Sequence, residues 1–208
     1  MAPSLERPSV DLEDQLQQDG QYPLIAGTDE VGRGSIAGPV AAAAVVFPAR
    51  FESDWIQAVD DSKRLTASQR EKLAHLILEE CFVGLSFVSP RTIDSIGIVP
   101  ATQLAMRRSV AGLLFTPDFL LVDGMDLPEA PCPSRPVIHG DRLSISIAAA
   151  SIVAKVTRDR YMSEMDVVHQ GYAFRTNKGY LTSQHRAALD QLGPTPIHRF
   201  SFAPVRSS

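Results

Sequence analysis

The chain has 208 residues, 44% of them hydrophobic and 21% charged, with two cysteines and a net charge of −4. A domain of this length buries roughly 70% of the surface its unfolded form exposes, so it folds without disulfides or a structural metal, and disordered and collagen-like classes are excluded. No stretch approaches the ~18 apolar residues of a membrane-spanning helix.

The charge is unevenly placed. Residues 1–154 carry 12 Lys and Arg against 20 Asp and Glu, whereas residues 155–208 carry 8 against 4. A basic final quarter beside an acidic body fits either a phosphate-binding footprint next to a cation site or a chance distribution of surface charge. The first twenty residues are polar and acidic and lack the apolar run of a signal peptide, so a cytoplasmic protein is expected. Cys81 and Cys132 form no C-x-x-C pair, which argues against a zinc site.

In chain order, a short helix is predicted over Val10 to Gln18. The apolar run Leu24 to Thr28 leads into Asp29-Glu30. A glycine-rich connection, Gly32-Arg33-Gly34 and Gly38-Pro39, then joins it to a second strand, Val40 to Phe47. Thr66 with Gln69 three residues later is a capping box opening a helix over Ala67 to Glu80. A strand at Phe82 to Ser89, a helix from about Pro100 to Leu114 and a short apolar strand at Phe119 to Val122 follow, the last ending at Asp123-Gly124.

Four prolines between Leu127 and Pro136 predict a loop without regular structure. A short strand at Val137-Ile138 precedes Gly140-Asp141. Ser144 is placed to cap a long helix running to His169, and a last helix, Thr182 to Leu192, stops at Gly193-Pro194. Early strands followed by alternating helix and strand predict an α/β fold, a mixed sheet flanked by helices.

Three segments carry chemistry: Thr28-Asp29-Glu30, Val122-Asp123-Gly124 and Gly140-Asp141. Each puts a carboxylate at the end of an apolar segment, where side chains leave the core. Singly, Asp beside Gly is ordinary turn chemistry. Jointly, converging carboxylates repel unless cations neutralise them, and an oxygen-only donor set selects Mg²⁺ or Mn²⁺. Two such ions ~3.5–4 Å apart are a recurrent arrangement for phosphodiester hydrolysis. Neighbouring strand residues point to opposite faces, so Asp29 and Glu30 are expected to share a site only if the strand ends or bulges there.

Gly32-Arg33-Gly34-Ser35-Ile36-Ala37 also satisfies the dinucleotide pattern G-x-G-x-x-[GA], with Asp54 as its ribose ligand. That motif needs a helix directly after the glycines, and Gly38-Pro39 followed by the β-prone Val40 to Phe47 argues against one. The exposed backbone of such a turn still suits a sugar-phosphate chain.

Several of these segments occur together in one known order. Asp29-Glu30-Val31-Gly32-Arg33-Gly34, Asp61-Ser62-Lys63-Arg64-Leu65, Leu121-Val122-Asp123-Gly124, Gly140-Asp141, Ser146 to Lys155, Asn177-Lys178-Gly179-Tyr180 with His185, and His198 to Phe202 are arranged as in bacterial ribonuclease HII, which the chain resembles over residues 24–202. The resemblance implies a ribonuclease H-like α/β fold with a C-terminal helical extension. Residues 1–22 would be a polar lead-in, 23–170 the catalytic domain and 171–208 the extension packed on it.

It further implies a metal-dependent endoribonuclease with two Mn²⁺ or Mg²⁺ ions held by Asp29, Glu30, Asp123 and Asp141, Asp29 bridging both. The enzyme would cleave the RNA strand of RNA–DNA hybrids and cut 5′ to single ribonucleotides in duplex DNA, leaving 3′-hydroxyl and 5′-phosphate ends in a repair role. Gly32, Arg33, Gly34 and Tyr180 would read the ribose at the junction, where the 2′-hydroxyl is the distinguishing group. Lys63, Lys155 and Arg158 are candidates for backbone phosphates, with Arg175 and Lys178 beside them, and a monomer is expected. His185 is placed on a basic groove, in proton transfer, or merely in the first turn of its helix. The alternatives are a DNA nuclease or strand-transfer protein on the same fold, and a nucleic-acid binding module without catalysis.

Overall fold

Val40 to Val46 are small or β-branched, and all seven are buried, so this strand can lie inside a sheet with helices pressed on both faces. A computed structural model describes residues 7–18, 22–49 and 51–206. In it the strand is β2, flanked by β1 (Ile25–Val31) and β3 (Phe82–Val88), both antiparallel to it. On its other side β1 pairs in parallel with β4 (Phe119–Asp123), and β4 with β5 (Ser134–Val137), giving the order β3-β2-β1-β4-β5. The expected mixed sheet is therefore present.

Alternation along β2 divides the core. Ala42, Ala44 and Val46 pack with Ala101, Ala105 and Met106 of the helix at Ile98–Ala111, while Ala43 and Val45 pack with Leu73 and Ile77 of Ala67–Glu80 and Ala149 and Ile152 of Ile145–Val168. In chain order the helices are α1 (Asp11–Gln18), α2 (Ala67–Glu80), α3 (Pro90–Ile96), α4 (Ile98–Ala111), α5 (Ile145–Val168), α6 (Phe174–Asn177), α7 (Ser183–Leu192) and α8 (Ala203–Arg206). The Thr66 and Gln69 capping box opens α2, and the Ser144 hydroxyl accepts the Ile147 amide at the head of α5, both as expected.

The C-terminal helices have their own small core. Ile36 and Ala37 from the glycine-rich connection meet Met162, Tyr172, Phe174 and Leu189 there. At the other end, Leu12 and Leu16 of α1 pack with Tyr22 against Ile25, Leu121, Val137 and Ile147.

Three expectations need correction. The proline-rich segment is not loop throughout: β5 begins at Ser134 and includes Pro136, tolerated because β5 is an edge strand, where a backbone position facing away from β4 needs no N–H donor. Helix α4 starts at Ile98, with Pro100 in its first turn, where no intrahelical N–H bond is required. The short helices α3, α6 and α8 were not anticipated, being too brief for a periodic signal.

Candidate active site

The parallel strands β1 and β4 end side by side, with Thr28 opposite Val122. In that register Asp29 lies level with Asp123, the last residue of β4, while β1 continues to Val31, so Glu30 overhangs its neighbour. Contrary to expectation, β1 neither ends nor bulges there, and its register with β2 runs unbroken through Asp29↔Ala43 and Glu30↔Ala42. With Asp29 beside the end of β4 and Glu30 just past it, both carboxylates reach the same opening. Asp29 Oδ1 turns along the strand to accept the Glu30 amide at 2.7 Å.

Asp29, Glu30 and Asp123 each bring a carboxylate oxygen within 4.8 Å of the others. Asp123 Oδ1 also accepts the Gly140 amide at 2.7 Å, which ties β4 to the 3-10 turn Gly140–Arg142 carrying the buried Asp141. Asp141 stands outside the close trio. Its Oδ2 accepts from Lys63 Nζ at 3.2 Å, and Asp61, bonded to Arg142 Nε at 3.2 Å and to the Lys63 amide at 2.9 Å, holds the two segments together.

Crowding and burial act on these groups in one direction. Burial pushes the Asp29 carboxyl well above its ordinary range, with Glu30 and Asp123 adding to the shift. Burial also raises Glu30, aided by Asp123 and opposed by Arg33, and raises Asp123, aided by Asp141. Burial works against the Lys63 ammonium, but Asp141, Asp61 and Asp29 outweigh it and raise its pKa. A desolvated group of mutually repelling oxygen donors fits a hard divalent cation.

A cleft of about 380 Å³ joins this trio to Gly32, Arg33, Gly34, Lys63, Lys155 and Tyr180. The two glycines differ. Gly32 has φ +88°, and a Cβ there would lie 2.0 Å from Arg158 Nε. At Gly34 the nearest atom to a Cβ would be a Tyr180 ring carbon at 3.8 Å. Packing demands the first glycine, whereas the second leaves bare backbone open to a ligand.

The model for the family described as Ribonuclease HII matches residues 26–205. The chain belongs to the ribonuclease HII family. A ribonuclease HII from Dehalococcoides mccartyi is 47% identical over 195 residues, covering 93% of this chain and 92% of the relative. One from Rhodospirillum rubrum is 52% identical over 187 residues, covering 88% and 86%. Among solved structures, the ribonuclease HII in a complex with PCNA from Archaeoglobus fulgidus superposes with a TM-score of 0.73 at 25% identity, covering 86% of this chain and 95% of that one. A Bst ribonuclease HIII in complex with Mn²⁺ shares the fold at 18% identity and a TM-score of 0.68, covering 92% and 71%. As a ribonuclease HII, the chain is an endoribonuclease acting on RNA–DNA hybrids with divalent metal ions.

Within this ribonuclease HII fold, the sequence-chosen basic residues divide. Lys63 and Lys155 line the cleft, Lys155 paired with Asp159 at 2.7 Å. Arg158 does not reach phosphates. It is fully buried, and Nε, Nη1 and Nη2 donate to the carbonyls of Pro39, Lys178 and Ala37 at 2.8, 2.9 and 3.2 Å. Its charge is visible in sequence, but its burial comes from the C-terminal helices closing over it. Arg175 lies 3.6 Å from Asp166, and Lys178 Nζ donates to Asp159 O and Ser163 Oγ.

Arg199 was missed as a builder of the turn. Fully buried, it donates to the carbonyls of Gly38, Arg33 and Gly32 at 3.0, 2.9 and 2.7 Å. Together the two guanidiniums hold five carbonyls of residues 32–39, fixing the turn whose Gly34 faces the cleft. His185 occupies the first turn of α7 and is fully buried, so it lies on no groove and reaches no substrate. Its Nδ1 bonds the Tyr180 carbonyl at 2.9 Å and its Nε2 meets His198 Nε2 at 3.0 Å.

Proposed function

We propose that this enzyme cuts duplex DNA on the 5′ side of single embedded ribonucleotides as well as the RNA strand of hybrids, leaving 3′-hydroxyl and 5′-phosphate ends. The observation that carries the reading is the adjacency of the acidic trio to an exposed glycine and a half-exposed tyrosine in one cleft. Asp29, Glu30, Asp123 and Asp141 would hold two divalent ions, with Lys63 neutralising Asp141 beside them. When bound, such ions supply positive charge to the phosphodiester and make the attacking water more acidic.

The residues around the trio account for sugar choice. Bare backbone at Gly34 admits a ribose closely enough to bond its 2′-hydroxyl, a group that both donates and accepts. The Tyr180 ring, 40% exposed and with the Arg158 guanidinium carbon 5.9 Å from its centroid, offers a flat face to the following sugar. An added hydroxyl on that sugar would crowd it. Lys63 and Lys155 face the same cleft and suit backbone phosphates.

The test is cleavage of an end-labelled DNA duplex containing one ribonucleotide, beside an all-DNA duplex, with Mn²⁺, Mg²⁺ or EDTA. A metal-dependent cut 5′ to the ribonucleotide, absent from all-DNA and from Asp29→Asn, is expected. Cleavage of both duplexes would replace this reading with a general nuclease, and binding without cleavage would leave a non-catalytic module.

A further inference from the structure

Helix α1 precedes the residues that the family model covers, and its sequence, DLEDQLQQ, carries one buried side chain, Glu13. A buried carboxylate on a short surface helix calls for a reason. Glu13 Oε1 accepts the Ser144 hydroxyl at 2.6 Å, the Ser146 amide at 3.0 Å and the Ser146 hydroxyl at 2.5 Å. These donors form the head of α5, a helix of 24 residues whose N-terminal end attracts negative charge.

That first turn touches the site on two sides. Against β1, a Cβ on Gly27 would come within 2.3 Å of Ile147 N, so α5 is pressed onto the strand two residues before Asp29. On the other side, the Ser144 amide donates to Gly140 O at 2.9 Å, and Gly140 in turn donates to Asp123. The same end of the lead-in grips the backbone, with Ile145 N donating to Ser9 O at 3.0 Å and Ser9 forming a bridge to Ser144. Glu13 Oε2 is enclosed without a hydrogen-bond partner among the described residues.

We propose that Glu13 is a positioning residue for the acidic site. By clamping the head of α5 it holds the Gly140–Arg142 turn, and with it Asp141, in register with Asp123. The inference rests on the reading of Asp29, Glu30, Asp123 and Asp141 as metal ligands. Neither Glu13 nor the serines touch substrate in this scheme, and their effect passes through the backbone.

The experiment is Mn²⁺ binding to the full-length protein, followed by electron paramagnetic resonance of free Mn²⁺ well below the melting temperature. Wild type, Glu13→Ala, Glu13→Gln, Gln15→Ala on the exposed face of α1, and Asp29→Asn are compared, and melting curves are recorded in parallel. Glu13→Ala is expected to weaken Mn²⁺ binding about tenfold, and Glu13→Gln, which keeps the shape and one acceptor without the charge, to give an intermediate loss. Gln15→Ala should match wild type. If Glu13→Ala fails to fold, the isosteric Glu13→Gln decides the matter. A lower melting temperature with unchanged Mn²⁺ affinity would reduce Glu13 to a structural cap and overturn the proposal. Wild type binding no more Mn²⁺ than Asp29→Asn would instead sink the metal-site reading, and this inference with it.

Discussion

A methyl group at Gly32 would run into the Arg158 guanidinium at φ +88°, while one at Gly34 would meet only the edge of Tyr180 at 3.8 Å. Gly32→Ala should therefore cost at least about 2 kcal/mol of stability, from the left-handed backbone and the overpacking together. Gly34→Ala should melt like wild type and lose cleavage of the ribonucleotide-containing duplex. Urea unfolding beside a cleavage assay separates them, and equal destabilisation of both variants would refute the distinction. Sequence shows both glycines and cannot say which faces the protein, because Arg158 lies more than 120 residues away.

Asp29 and Asp123 titrate above their unfolded values, so the unfolded chain loses these protons first. Their contribution to folding is favourable below about pH 4 and is lost as pH rises through the raised values. In EDTA at neutral pH, Asp29→Asn should be more stable than wild type by on the order of 1 kcal/mol, a gain that disappears in acid. Melting curves at the two pH values check this, and a lower melting temperature for the variant at neutral pH would contradict it.

The C-terminal helices bring a different pH dependence. A carbonyl only accepts, so His185 Nδ1 carries the proton donated to Tyr180 O, His185 Nε2 accepts from His198 Nε2, and His198 Nδ1 accepts the Thr195 amide. Both rings are thus neutral. Burial lowers His185, and burial with the neighbouring ring lowers His198 to about 4. Against an unfolded value near 6.5, stability is whole above that pH and lost as pH falls toward 4, by about 3 kcal/mol for His198. Urea unfolding across this window should show a smaller loss in His198→Gln, and an equal loss in both proteins would contradict the assignment. The local signals of this region, Thr182 before α7 and Gly193 after it, were legible in sequence, as were the caps of α2 and α5. The histidine pair was not, since it depends on a loop folding back over thirteen residues.

At the scale of the molecule, the mixed sheet and its flanking helices followed from alternating runs of strand and helix. The overhang of β1 beyond β4 did not, because only tertiary pairing decides where a neighbour stops. The same limit misplaced Arg158, whose charge reads as surface until the C-terminal helices enclose it. Arg158→Met should cost at least about 3 kcal/mol, since it strips three buried carbonyls of their donor, and circular dichroism melts would show it. A melting temperature like that of wild type would contradict this. Lys155→Ala, on the cleft wall, should leave melting unchanged and reduce the slope of log binding constant against log salt by about 1. An unchanged slope would remove Lys155 from the phosphate contacts.

Under the proposed function, four carboxylates from β1, β4 and the Gly140–Arg142 turn would hold two ions beside the glycine turn. Anomalous scattering from Mn²⁺ in crystals of the protein with a ribonucleotide-containing duplex tests it most directly. Two peaks ~3.5–4 Å apart, one touching Asp141 and both touching Asp29, are expected. A single peak, or peaks away from Asp29 and Asp123, would contradict it.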